Sequence, residues 1–178
     1  MNKVLRHLLA LLLLALGTPA AALELFGVAL ESVSRDELRA AAAQAGLLLE
    51  REGGEDTWYD VYDSSTVLAG STRFYLGFVK QDQRFAFAEY EFRGLSHKRL
   101  LRQLKLKYGE AEVQGGRFVS DHRYRWQRDG IQIELSSDWQ RYSTRLTYLI
   151  PQNMRDLLAE RAAYKSQPQA EAAQVSLY

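Results

Sequence analysis

Two stretches of helical periodicity, each stopped by a glycine and each followed by residues that alternate apolar and polar, constrain this chain more than any other feature. The first opens at Ser34, where Ser34-Arg35-Asp36-Glu37 supplies the serine and the glutamate of a capping box. It runs through Leu38, Ala41, Ala42 and Ala45 and stops at Gly46. Its apolar stripe is narrow and made of small side chains, which predicts close packing against a sheet. The second opens near Ser96, carries Leu100, Leu101, Leu104 and Tyr108 at helical spacing, and stops at Gly109 without the glutamate of a capping box.

After the first helix, residues 57–62, 73–79 and 84–92 read as strands, the last two joined by the polar turn Lys80-Gln81-Asp82-Gln83. After the second, 117–127 and 131–135 read as a hairpin across Arg128-Asp129-Gly130, the Asp-Gly pair supplying the positive φ such a turn needs. A further strand over 143–150 ends at Pro151, and Asn153, Met154, Leu157 and Leu158 predict a short closing helix over 153–164. The expected fold class is α+β: two similar helix-plus-antiparallel-sheet halves packed as one unit, with a short C-terminal helix. Halves 25–94 and 95–151 read either as a degenerate duplication or as chance similarity within one domain over 23–164. Each half alone would leave sheet edges uncovered, so both readings predict one packed body. The remainder, 165–178, is rich in Gln, Ala and Ser and is expected to be disordered.

Upstream, Lys3 and Arg6 precede an apolar run from Leu8 to Leu16, and Ala20 and Ala22 place small side chains where a signal peptidase reads. The expectation is a signal peptide over 1–22, with Leu23 first in the mature chain. A membrane anchor is set aside, because the run is about half of the ~20 residues a spanning helix needs. Cysteine is absent, which removes disulfides, thiolate metal sites, a cysteine nucleophile and lipoprotein anchoring together. Such a chain must be held by its core, and a Gram-negative periplasm is the expected compartment. The 23 basic residues become 21 without Lys3 and Arg6, against 22 acidic ones. With no clustered basic surface evident in the sequence, nucleic-acid binding is set aside as well.

Candidate chemistry is sparse. Asp121 and His122 are adjacent on an expected strand, so their side chains point to opposite faces and form no dyad. His122 shares a face with Phe118, Tyr124 and Trp126 and is expected to be packed, while His97 is expected to be a solvated helix-start residue. Glu89 and Glu91 project from one face about 7 Å apart at strand rise, in company with Phe85 and Phe87. Paired carboxylates could flank a glycosidic bond or hold calcium, but the expectation for this pair is a solvent-facing strand end. Gly53-Gly54 and Gly115-Gly116 lack the following helix of a phosphate loop, and no Gly-x-Ser-x-Gly occurs. No cofactor and no metal is expected.

Aromatic content is the remaining signal. Residues 58–92 are crowded with Trp, Tyr and Phe, and 73–79 is apolar on both faces, which means burial between layers or a binding surface. Arg123 and Arg125 should face Gln132 and Glu134 across the Asp-Gly hairpin. The expected loop 136–142 places Trp139, Arg141 and Tyr142 in a polar turn, where large aromatics make docking anchors. The candidate partner-binding residues are therefore Trp139, Tyr142, Arg141, Trp58 and Tyr62.

The order of elements resembles the layout of secreted β-lactamase-inhibitor-type proteins and of small outer-membrane assembly proteins with a helix-and-sheet fold. That resemblance rests on no shared motif and transfers no functional residue. The expected function is a non-enzymatic periplasmic module that binds another envelope protein as an inhibitor, immunity or accessory factor. The rival expectations are a carbohydrate-binding protein or hydrolase using Glu89, Glu91 and His122, and a structural accessory of an envelope assembly.

Overall fold

The computed structural model describes residues 22–54, 57–93, 97–115, 122–138 and 142–166. In chain order the elements are β1 (Glu24–Leu25), β2 (Val28–Ala29), α1 (Arg35–Gln44), β3 (Leu48–Arg51), β4 (Tyr59–Asp63), β5 (Ser71–Phe78) and β6 (Phe85–Arg93). There follow α2 (His97–Tyr108), β7 (Glu112–Gln114), β8 (Arg123–Arg128), β9 (Ile131–Asp138), β10 (Ser143–Leu149) and α3 (Pro151–Ser166). The fold is α+β, with a two-stranded ribbon, β1–β2, and an eight-stranded antiparallel sheet in the order β3-β4-β5-β6-β10-β9-β8-β7.

Local signals set the helix ends. The Ser34 hydroxyl accepts from the Glu37 amide at 3.3 Å while the Glu37 carboxylate accepts from the Ser34 amide at 3.0 Å, completing the capping box. At the other end Gly46 adopts φ +93, and the amides of Gly46 and Leu47 donate to Ala43 and Ala42, a Schellman closure that satisfies the last carbonyls. Helix α2 buries Leu100, Leu104 and Tyr108 at spacings of four; its last carbonyl, of Tyr108, accepts from Arg128 Nη2 at 2.7 Å, and that of Gly109 just beyond it accepts from Trp126 Nε1 at 2.8 Å. The β8–β9 turn places Asp129 at φ 48 and Gly130 at φ 74, as a type I′ hairpin requires.

Each of α1 and α2 is followed by a four-stranded meander, and the meanders meet through their last strands, β6 and β10. Helices α1 and α2 pack on one face, where Leu38, Ala42, Leu100, Leu104 and Tyr108 join the sheet residues Phe74, Leu76, Tyr90, Phe92, Ile133 and Leu135 in a continuous core. Burying this face fixes the register of every strand in it, since a one-residue slip would turn the whole apolar set outward. The other face receives α3, which packs Leu157 and Met154 against Val79, Ala86 and Phe87 at one end of β5 and β6.

Several elements differ from the sequence reading. Edge strands β3 and β7 and the ribbon β1–β2 were not expected; they are short and lack a clear two-residue alternation. Residues 136–138 belong to β9, paired with β10, so the expected loop 136–142 is shorter. The expected strand over 117–127 is described only from 122, and β8 begins at Arg123. Helix α3 begins two residues early, because proline is pre-organised for a first helical position, and it includes residues 165 and 166 of the expected tail. Its outer turns are held by Glu160, which accepts from the Lys80 and Gln81 amides at 2.8 and 3.1 Å, and by Asn153, whose Nδ2 donates to Phe85 O at 2.8 Å.

The irregularity between Gly77 and Phe78 opposite Phe87 and Phe85 resets the alternation of β6. Phe85 therefore turns into the core beside Phe78, and Ala86 turns toward α3, so the expected company of Glu89 and Glu91 loses Phe85 and keeps Phe87.

Candidate functional site on the open face of the sheet

Beyond α3, the second face of the sheet presents two rows of side chains set by strand register. Tyr75, Glu89, Thr147, Glu134 and Arg125 stand opposite one another from β5 across β6, β10 and β9 to β8. Arg73, Glu91, Arg145 and Ser136 form the next row. The expected Arg125 to Glu134 pairing is present at 3.7 Å, and Arg123 reaches the same carboxylate at 3.8 Å.

Glu89 is deeply set. One oxygen lies 3.2 Å from Arg145 Nη1 and the other accepts from Thr147 Oγ1 at 3.0 Å. Burial pushes its carboxyl above the usual range against these partners, with Glu91 and Glu134 adding to the rise. Glu91 moves the other way: burial raises it, but the Tyr75 hydroxyl at 2.9 Å and the Arg93 guanidinium at 3.0 Å more than offset that and hold it low. The two glutamates are thus fixed in hydrogen-bonded pairs, where the sequence predicted a solvent-facing strand end.

Next to Glu89 the surface sinks into a hollow of ≈ 270 Å³, apolar on the side of Tyr59, Tyr75, Phe87 and Met154 and polar on the side of Glu89, Arg145 and Thr147. Tyr59 packs edge-on against Tyr75 and Phe87, at centroid separations of 5.6 and 6.3 Å. Gly77 makes room for the Phe87 ring: a Cβ there would lie 2.1 Å from a ring carbon. Among the described residues, Arg125 Nε and Arg145 Nε are buried and have no acceptor.

The sequence-predicted binding residues separate. Tyr62 is 2% exposed and lies in the core beside Phe74; β4 register turns it inward, so it is removed from the binding set. Trp58 is 7% exposed, covered by Tyr164 and by Lys80, whose Nζ lies 4.0 Å from the ring centroid, and it too is a packing residue. Tyr142 is 88% exposed at φ 50, in the β9–β10 connection at an end of the sheet. Trp139 and Arg141 lie outside the described residues.

His97 is half-buried where a solvated position was expected. Its Nδ1 lies 2.9 Å from Ser137 Oγ, its ring packs 5.6 Å from Tyr124, and burial lowers its pKa. His122 is half-buried on the other side of Tyr124, at 6.2 Å. Among the described residues no group of His, Asp and Glu has the arrangement to hold a metal ion, and no helix is long and apolar enough to cross a membrane.

The sequence reading passed over Arg145, Thr147 and Glu134 as a set with Glu89. Arg145 and Thr147 share parity on one strand, which placed them on one face, but only sheet order brings that face against Glu89. A basic cluster is present where none was expected: α2 carries Lys98, Arg99, Arg102, Lys105 and Lys107 with no acidic residue.

No family model and no curated protein matches the sequence. Among solved structures, a DUF4309 family protein, YjgB, from Bacillus subtilis subsp. subtilis strain 168 is matched at 15% identity and a TM-score of 0.46. The match covers 72% of this chain and 86% of that protein.

Proposed function

We propose that the protein is a non-enzymatic binding module, exported to the periplasm, that holds a partner protein on the open face of its sheet. The observation that carries this reading is the pair of buried guanidinium N–H donors on that face, Arg125 Nε and Arg145 Nε, left without acceptors among the described residues. A buried donor without an acceptor costs about 1–3 kcal/mol, a penalty relieved by a partner that brings carbonyl or carboxylate oxygens. Around them are alternating charges and an aromatic-walled hollow, the mixture of anchor and polar rim that protein interfaces use. An inhibitory, immunity or accessory role is consistent with this surface, and Tyr142 extends it at one end.

The test is cross-linking and capture of tagged protein in the producing cell, comparing wild type with Arg123→Glu/Arg73→Glu on the face and Tyr142→Ala at its end. The side chains of Arg73 and Arg123 are more than half exposed, so folding should be unaffected. A stoichiometric partner whose capture falls with the face variant supports the reading; capture indifferent to all three changes defeats it.

The opposite displacement of the Glu89 and Glu91 carboxyls favours a second reading, acid/base action on envelope carbohydrate, because one group is kept protonated more readily than the other. Against it stand the internal pairs that occupy both glutamates and a hollow that is open to water. Turnover of peptidoglycan fragments that vanishes in Glu89→Gln would establish this second reading and displace the first.

A further inference from the structure

Helix α2 differs from α1 and the sheet in how its cations are accompanied. Among the described residues, eight arginines of α1, the sheet and the β5–β6 turn, from Arg35 to Arg145, lie within 3.8 Å of a carboxylate oxygen. Helix α2 is different, with five cations and no anion in twelve residues. Lys105 meets Glu110 and Lys107 lies over the Tyr108 ring, but Lys98, Arg99 and Arg102 reach no carboxylate among the described residues.

These cations stand on a rigid mount. Leu100, Leu104 and Tyr108 anchor the inner side of α2 in the core, and Trp126 and Arg128 hold its C-terminal carbonyls. Lys98, Arg99, Arg102 and Lys107 are exposed along ~14 Å of helix, and between Lys105 and Lys107 Leu106 stands 83% exposed. The sheet separates this array from the open face.

We propose that the outward side of α2 is an electrostatic docking surface for an anionic lipid bilayer, with Leu106 set among the headgroups. Charge complementarity selects the occupant. An uninterrupted run of flexible cations on a convex helix matches an extended, laterally fluid sheet of anions, and the interface of such a sheet accepts an isolated leucine. A protein partner would instead need pockets among the cations; the hollows that α2 helps to line lie at its C-terminal end, at Lys107 and Tyr108, and none of the described hollows is lined by Lys98, Arg99 or Arg102. Because its apolar stripe is already buried in the fold, α2 adsorbs and does not insert. Docking by this side leaves the open face of the sheet turned away from the membrane and free.

Each cation near such a surface gives about a five-fold gain in partition, so losing two removes about thirty-fold. The test sediments protein purified from cells expressing the full-length sequence with phosphatidylcholine vesicles, with or without a third of phosphatidylglycerol. The expected result is about a hundred-fold stronger binding to the anionic vesicles, from Lys98, Arg99 and Arg102 at about five-fold each, lost as salt rises from about 0.1 M to 1 M and the screening length shrinks from ~10 to ~3 Å. Arg99→Gln/Arg102→Gln, both exposed and without a carboxylate partner among the described residues, should fold normally by circular dichroism and bind about thirty-fold more weakly. The chain has no cysteine, so Leu106→Cys takes a single environment-sensitive fluorophore, whose emission should shift to the blue on anionic vesicles alone. Equal binding to both vesicles, or wild-type binding by the double variant, would overturn the proposal. So would an unshifted label together with tight binding of poly-L-glutamate at the same salt, which would make an acidic protein the occupant. None of these outcomes depends on the open-face reading.

Discussion

Gly77 and Phe87 offer a sharp test of how the hollow is built. They stand opposite each other on β5 and β6, and an added Cβ at Gly77 would meet Phe87 ring carbons at 2.1, 2.5 and 3.0 Å. Ordinary contact begins near 3.4 Å, so in Gly77→Ala the ring must move by more than an ångström, into space bounded by Tyr59 and Met154. Overpacking of this kind costs about 1–3 kcal/mol. Replacing a strand glycine by alanine otherwise stabilises by about 0.5–1 kcal/mol through the unfolded chain. The net expectation for Gly77→Ala in the wild type is a loss of about 1–2 kcal/mol, or ~2–8 °C in Tm for a domain of this size. In a Phe87→Ala background the obstruction is gone and the same change should stabilise by about 0.5–1 kcal/mol. The double-mutant cycle read by urea denaturation therefore predicts a sign reversal and a coupling of ~2 kcal/mol. Equal effects of Gly77→Ala in the two backgrounds would show that the ring does not lie over Gly77, and the account of the hollow would fail with it.

Other expectations follow from the buried charges. Asp60 is 1% exposed, with one oxygen accepting from the Gly53 amide at 2.7 Å and from Arg35 at 2.9 Å, so Asp60→Ala should destabilise by ~3–5 kcal/mol in chemical denaturation. A loss under ~1 kcal/mol would mean Arg35 finds water as readily as it finds Asp60. Glu91 has a lowered folded-state pKa, so its contribution is present above the ordinary carboxylate value of 4.5 and is lost as pH falls through its folded value. Glu91→Gln should flatten the acid limb of a Tm profile recorded from neutral pH downward; an unchanged limb would show that the Tyr75 and Arg93 bonds do not favour the ionised form. Glu89 acts with the opposite sign: its raised pKa makes it bind protons more tightly when folded, so stability falls as pH rises from 4.5 toward the folded value, and Glu89→Gln should remove that fall.

Sequence alone determined the features whose causes are local. Ser34 and Glu37 close on each other across one turn, Gly46 and Gly109 take positive φ at helix ends, and Asp129-Gly130 bends a hairpin whatever surrounds it. The parity of Glu89 and Glu91, and of Arg123 and Arg125, followed from the two-residue period of a strand. What faces those side chains did not, because strand pairing joins residues far apart in the chain. Only the tertiary structure set β6 beside β10 and so placed Arg145 and Thr147 against Glu89. It also decided that one irregularity opposite Gly77 would turn Phe85 inward, and that Trp58 and Tyr62 would be spent on packing. Aromatic composition is the same for an anchor and for a core residue; which of the two a ring becomes depends on which side of the sheet the register leaves it.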